Sequence, residues 1–370
     1  MNTHAGRFIL WNVVEVLDHK KFPFREIATT PPFFLFKHDP AMERQYADIF
    51  SSTVDQYYGV PQGTNFDIFL RSLGTTAFIV TKDDVILYEK YFNGHTRDSV
   101  EKTLSVTKSI ASALVGIAVD EGLIRSIDEP MTDYIPRLKG KGLDGITVKH
   151  LMMMTSGLKF RTGFLPWDEF TKSYYEPNLR KLVTTDVTVE EPPGEHFLYH
   201  EYHAALLGII LEKATHMTVS EFLQEKIWKP LGMEYPATWS LDSTEDGLES
   251  IASGLNARAI DVAKIGRLYL KKGLWDGKRI ISERWVTEST TPETHVPSDY
   301  YPEWFREQNI YYKYMWWGHS LGNGDYNFYG FGFLGQMIYI CPRKQLIIVR
   351  FGKSTDLWDV IARKLTESIS

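Results

Sequence analysis

The strongest constraint on the fold is the placement of the β-rich runs at the two ends of the chain. Near the start, TTAFIV (75–80) and VILYEKYF (85–92) flank the polar turn Lys82-Asp83-Asp84. Two β-rich runs around a short polar turn read as a hairpin. Near the end, GQMIYI (335–340) and QLIIVRF (345–351) flank Cys341-Pro342-Arg343-Lys344 in the same manner. Between them, from about 125 to 300, the chain reads mainly as helices and long loops. Strands at both ends with helices in the middle predict an α/β fold of the α+β type. One antiparallel sheet is built from both termini and flanked by helices, and a mainly helical lobe is inserted. The expected organisation is one discontinuous unit over 1–370. Its α/β lobe covers about 1–125 plus 300–370, and its helical lobe about 126–299.

Helical spacing is clear over 41–58, 104–121, 202–214, 220–228 and 257–273, and a last helix closes the chain at TDLWDVIARKLTESI. Residues 1–40 are rich in Phe and Pro and read as an irregular arm wrapping a core. No internal repeat or low-complexity segment is present.

The bulk numbers exclude several classes. The chain has 370 residues, 43% hydrophobic and 24% charged, and a formal net charge of -6. Such a length can bury most of its apolar surface without staples. No long basic run occurs, so no nucleic-acid partner is expected. No apolar stretch reaches the roughly 20 residues that span a bilayer, so no membrane partner is expected either. The single cysteine, Cys341, forbids an internal disulfide and reads as a small buried hydrophobe. The start makes a poor signal peptide, so a cytoplasmic location is the expectation, although a removed leader would leave the same sequence. The eleven histidines show no HExxH spacing and CxxC is absent, so neither metal nor cofactor is expected. Gly330-Phe331-Gly332-Phe333-Leu334-Gly335 fits the dinucleotide pattern but leads into a strand, which removes that reading.

The chemistry sits in Ser105-Val106-Thr107-Lys108. A serine hydroxyl is a weak nucleophile and needs a base beside it. Residues i and i+3 of a helix share a face, so Ser105 Oγ and Lys108 Nζ can converge. The same first turn supplies free N–H groups and the positive end of the helix dipole. A second Ser-x-x-Lys, Ser156-Gly157-Leu158-Lys159, reads as a turn, where Ser and Lys share no helix face. The bland alternative for Ser105 is a helix N-cap.

Several ordered blocks extend the pattern: LSVTKSIASALVGIAVDEGLIRSIDEPMTDYIPRL, ITVKHLMMMTSGLKF, PPGEHFLYHEYHAALLGIILEKAT, KIWKPLGM and GFGFLGQMIYICP. From about residue 60 to 365 the sequence resembles the serine β-lactamase-like superfamily, most of all class C-related esterases and 6-aminohexanoate-dimer hydrolases. The resemblance implies a β-lactamase/transpeptidase-like fold and a serine hydrolase working through an acyl-enzyme. It makes Ser105 the acylated serine, Lys108 its paired lysine, and Tyr199 the tyrosine that shuttles a proton to the leaving group. It places the oxyanion hole at the backbone N–H groups of Ser105 and Phe333, beside Gly332. The chain departs from the family pattern at Glu201, where Asn is common. Glu201 could pair with Lys108 or bind a substrate amine. It also lacks a Lys or His before Gly332, which argues against β-lactams and for a small amide or ester as substrate. Trp317 and Glu201 are candidate substrate-binding residues. Trp167, Tyr174, Tyr175, Trp316 and His319 are, with Trp317, aromatic candidates for the cleft wall, of which most are expected to be core or rim and only one or two to line it. His200 and His203 flank the site in sequence, so a Ser105–His pair stays open. Two rival readings stay open as well: a DD-peptidase or penicillin-binding protein, and a catalytically silent binding domain on the same scaffold. A homodimer is compatible with the sequence.

Overall fold

A computed structural model describes residues 3–11, 13–61, 63–293, 300, 301, 303, 305, 308–355 and 357–369. The expected lobe boundary near 299 falls in 294–299, outside the described residues.

Eight strands form the main sheet: β1 (Lys37–His38), β2 (Thr75–Lys82), β3 (Val85–Tyr91), β4 (Ile310–Lys313), β5 (Trp316–Gly322), β6 (Asp325–Gly332), β7 (Gln336–Cys341) and β8 (Leu346–Gly352). Their spatial order is β4-β5-β6-β7-β8-β2-β3-β1. The two hairpins of the sequence meet where β8 pairs antiparallel with β2, with Ile348 opposite Val80. The sheet is therefore built from both ends of the chain. The turn between β2 and β3 puts Asp83 and Asp84 at φ 50° and 65°. Asp tolerates this left-handed region and suits the twist of a two-residue hairpin loop.

The central strands β2, β7 and β8 are buried on both faces, and alternate side chains feed two cores. Phe78, Val80, Tyr339 and Ile348 enter one core with Phe50 and Trp358. Ala77, Ile79, Ile338 and Ile347 enter the other. Five helices pack on this sheet or carry site residues: α1 (Pro40–Tyr58), α2 (Val106–Asp120), α3 (Glu201–Thr215), α4 (Ala259–Leu270) and α5 (Trp358–Ser368). Phe50 of α1 and Trp358 of α5 lie in the first core, while α2, α3 and α4 supply the second. Gly266 lets α4 lie close on the sheet, because a Cβ there would sit 2.8 Å from the Ile347 side chain. Each large aliphatic side chain so buried contributes roughly 1.5–3 kcal/mol.

One expectation needs correction, and two details add to the rest. Residues 1–40 are not an irregular arm throughout. His4–Trp11 is helical, Phe24–Ile27 is a strand, and Lys37–His38 is the edge strand β1. The main sheet is not purely antiparallel, since β1 runs parallel to β3. The middle of the chain also carries short strands. Ala237–Ser240 and Leu255–Ala257 join Phe24–Ile27 and Glu101–Lys102 in a separate four-stranded sheet. That sheet completes its ladders across sequence-distant partners, which no local pattern announces. No helix of the described residues is long and apolar enough to cross a membrane.

Candidate active site

Ser105 occupies the N-cap position of α2 but makes no cap hydrogen bond with its side chain. Leu104 before it stands at φ 48°, in the left-handed region that non-glycine residues rarely adopt. Such a conformation costs of order 1–3 kcal/mol and persists only where the surroundings impose it. Here they do: Leu104 is buried, its carbonyl accepts from Thr107 N, and Thr103 N donates to Leu255 O. The turn thus leaves the Ser105 hydroxyl free of capping duty.

Lys108, one turn along α2, is 1% exposed. Its Nζ donates to Ser105 Oγ at 2.9 Å and to Ala252 O at 2.9 Å. Glu201 Oε1 lies 3.6 Å from the same nitrogen. The same nitrogen also stands 4.8 Å from the centre of the Tyr199 ring. The amine is therefore surrounded by acceptors and a π face, with the serine hydroxyl as one of its partners.

Tyr199 is half-buried and lies one residue before His200, the N-cap of α3. Its ring packs against Tyr312 at 5.8 Å and Trp317 at 5.5 Å. Among the described residues its hydroxyl makes no hydrogen bond to Ser105 or Lys108. The ring meets the amine, and the phenol oxygen stays free for another partner. Trp317 braces Tyr199 from within an aromatic cluster and does not line the cleft over Ser105.

The turn after β6 closes the other side. A Cβ on Gly332 would lie 2.9 Å from Ser105 N and 3.0 Å from Thr103 O, so this backbone presses directly on the Ser105 N–H. Phe333 follows and lines the cleft. Leu334 stands at φ 61°, and its carbonyl and that of Gly335 accept from the buried Arg350 guanidinium at 2.6 and 3.0 Å. Arg350 also donates to Leu73 O and so fixes the turn to the body of the sheet. The cleft is lined by Val14, Leu104, Ser105, Phe170, Ser173, Tyr174, Glu201, Ala252, Ser253 and Phe333. Ser105, Lys108, Glu201, Gly332 and Phe333 are thus brought together, with Tyr199 beside the amine.

Other candidates fall elsewhere. Tyr174 lines the cleft, but Tyr175, Trp316 and His319 are buried in the packed interior and Trp167 is exposed. Trp316 packs on Tyr269 and Phe328, which fixes it in the core. Neither histidine meets Ser105. His203 Nε2 pairs with Ser156 Oγ at 2.5 Å, and His200 is sandwiched between Phe160 and His203. Burial and the nearby Lys108 push the His203 imidazole down to about 3, and burial holds His200 well below its usual range. Both rings stay neutral. Ser156 is fully buried in a turn that needs glycine next to it, since Gly157 has φ 69° and a Cβ would strike Glu191 O. Among the described residues, Glu191, Glu195 and His196 are the one group close enough to share a metal ion, and none of them lines the cleft. Ala252, Arg350 and Phe170 were not singled out by the sequence. A backbone carbonyl acceptor leaves no signature there, and Arg350 sits inside an apolar strand run.

Comparison with known proteins then places the chain. The family profile described as Beta-lactamase matches residues 69–363. The chain belongs to the beta-lactamase family. It is 28% identical over 300 residues to the 6-aminohexanoate-dimer hydrolase of Paenarthrobacter ureafaciens, covering 78% of this chain and 74% of that one. A Bacillus anthracis structure solved as a candidate 6-aminohexanoate-dimer hydrolase superposes with a TM-score of 0.77 at 22% identity, over 97% of this chain and 93% of that one. A class C beta-lactamase superposes at 0.63 with 17% identity, over 90% and 99%. This member of the beta-lactamase family is a hydrolase, and its fold is that of the β-lactamase/transpeptidase type.

Proposed function

We propose that the protein hydrolyses a small amide or ester through an acyl-enzyme formed on Ser105. The observation that carries this reading is the 2.9 Å contact between Lys108 Nζ and Ser105 Oγ, with Ser105 lining a cleft. Lys108 with Tyr199 takes the serine proton, and Oγ attacks the carbonyl carbon. The N–H groups of Ser105 and Phe333 receive the developing oxyanion, each at a point the Gly332 backbone brings close. The Tyr199 hydroxyl gives a proton to the leaving amine or alkoxide, and water then releases the acyl group and restores Ser105. Glu201, across the amine from Ser105, orients Lys108. The likeness to a 6-aminohexanoate-dimer hydrolase supports amide substrates of that kind, alongside carboxylic esters.

Ser105→Ala assayed on p-nitrophenyl acetate and on 6-aminohexanoate dimer tests the reading. Activity at the uncatalysed background is expected, and full activity would overturn it. The rival penicillin-binding reading predicts a stable adduct with fluorescent penicillin. The absence of a cationic side chain before Gly332 weighs against that adduct.

A further inference from the structure

We infer that residues 13–17 and the Phe333-Leu334 turn build a subsite for a linear aliphatic chain beside Ser105. The inference rests on the hydrolase reading and names the substrate class that reading leaves open: an ester or amide bearing an uncharged medium-length alkyl chain. A second cavity of about 280 Å³ adjoins the cleft, lined by Val13, Val14, Glu15, Val16, Leu17, Leu334 and Lys353. Val14 lines both spaces, and Leu334 directly follows Phe333 of the cleft. The two spaces are therefore neighbours, with the Val14 side chain at their common wall.

The lining fits an apolar occupant. Five of its seven residues are aliphatic, and the two charged ones, Glu15 and Lys353, are of opposite sign and exposed. An uncharged chain can fill the space without removing a charge from water. Val13 is 59% exposed and Phe333 42%, so apolar surface lies open beside both the second cavity and the cleft that Ser105 lines. That surface lowers its contact with water when a chain covers it. The N-terminal segment, which the sequence suggests only as wrapping, thereby becomes a wall that selects substrate.

The test is kcat/KM on p-nitrophenyl acetate, butyrate, hexanoate and octanoate, for the wild type and for Val13→Asp, whose exposed position tolerates the change. The wild type is expected to gain about fourfold for each methylene that enters the subsite. Val13→Asp is expected to flatten that gain. A flat wild-type profile with acetate cleaved would overturn the subsite while leaving the hydrolase reading intact, as would an undiminished gain in Val13→Asp. A protein that cleaves no ester of the series and takes no fluorophosphonate at Ser105 overturns the hydrolase reading instead. Saturation-transfer NMR with sodium octanoate then decides the subsite alone. Methylene saturation that weakens in Val13→Asp supports it, and no saturation overturns it.

Discussion

Gly332→Ala tests how the turn after β6 serves Ser105. The backbone at 332 has φ -128° and ψ 158°, extended values that alanine adopts freely, so the substitution strains no dihedral. What changes is space. The new Cβ would stand 2.9 Å from Ser105 N, 3.0 Å from Thr103 O and 3.2 Å from the Gln336 Cβ. Two of these neighbours are backbone atoms, and the 103–105 turn is held by Leu255, so the glycine's own turn has to retreat by a few tenths of an ångström. On the proposed mechanism, that retreat carries the Phe333 N–H away from the oxyanion that it would share with the Ser105 N–H. Deleting one oxyanion donor typically lowers kcat by about 10²–10³, or about 2.7–4 kcal/mol. Displacement without deletion puts the expected loss near 100-fold. Overpacking costs about 1–3 kcal/mol of stability, which a protein of this size survives. The assay is kcat for p-nitrophenyl acetate, corrected for folded fraction by thermal melting. A folded Gly332→Ala enzyme with wild-type kcat would refute the placement of the oxyanion hole.

Three further outcomes are expected from the same geometry. Ser156→Ala keeps ester turnover within a few-fold of wild type, because Ser156 is buried against His203; loss of turnover with the fold intact would instead make the Ser156–His203 pair catalytic. His203 is neutral in the fold with its pKa depressed to about 3, against about 6.5 when unfolded. The unfolded chain binds the extra proton between these values, so stability is full above about 6.5 and falls as pH drops toward 3. Urea melts at pH 7, 5 and 4 check this, and His203→Gln is expected to shallow the pH slope. Gly116→Ala places a Cβ 2.4 Å from the Trp285 ring and is expected to cost about 1–3 kcal/mol by overpacking, read as a lowered denaturation midpoint.

Much of this architecture was legible because its signals are local. The hairpins at 75–92 and 335–351 announce themselves through β-rich runs and polar turns, and α2 through periodicity that ends at Gly122. Ser105 and Lys108 were legible because helix geometry alone puts i and i+3 on one face. The remainder depends on contacts distant in sequence. Phe24–Ile27 becomes a strand only by pairing with Ala237–Ser240. The amine's second acceptor is the carbonyl of Ala252, and any residue type offers one. Leu104 at positive φ carries no glycine or asparagine to mark the strained turn. Arg350 lies in an apolar strand, where its use as a clamp on the 333–335 turn emerges only once the sheet is assembled. Trp316 and His319 fall in the core, in line with the expectation that most of these aromatic side chains are core or rim.

The account stands on Ser105 being the residue that is acylated. Treating the native protein with a fluorophosphonate and mapping the modified peptide by mass spectrometry measures this directly. One adduct per chain is expected at Ser105, lost in Ser105→Ala and slowed strongly in Lys108→Met. A folded protein that takes no adduct, or takes it at another serine, would contradict it.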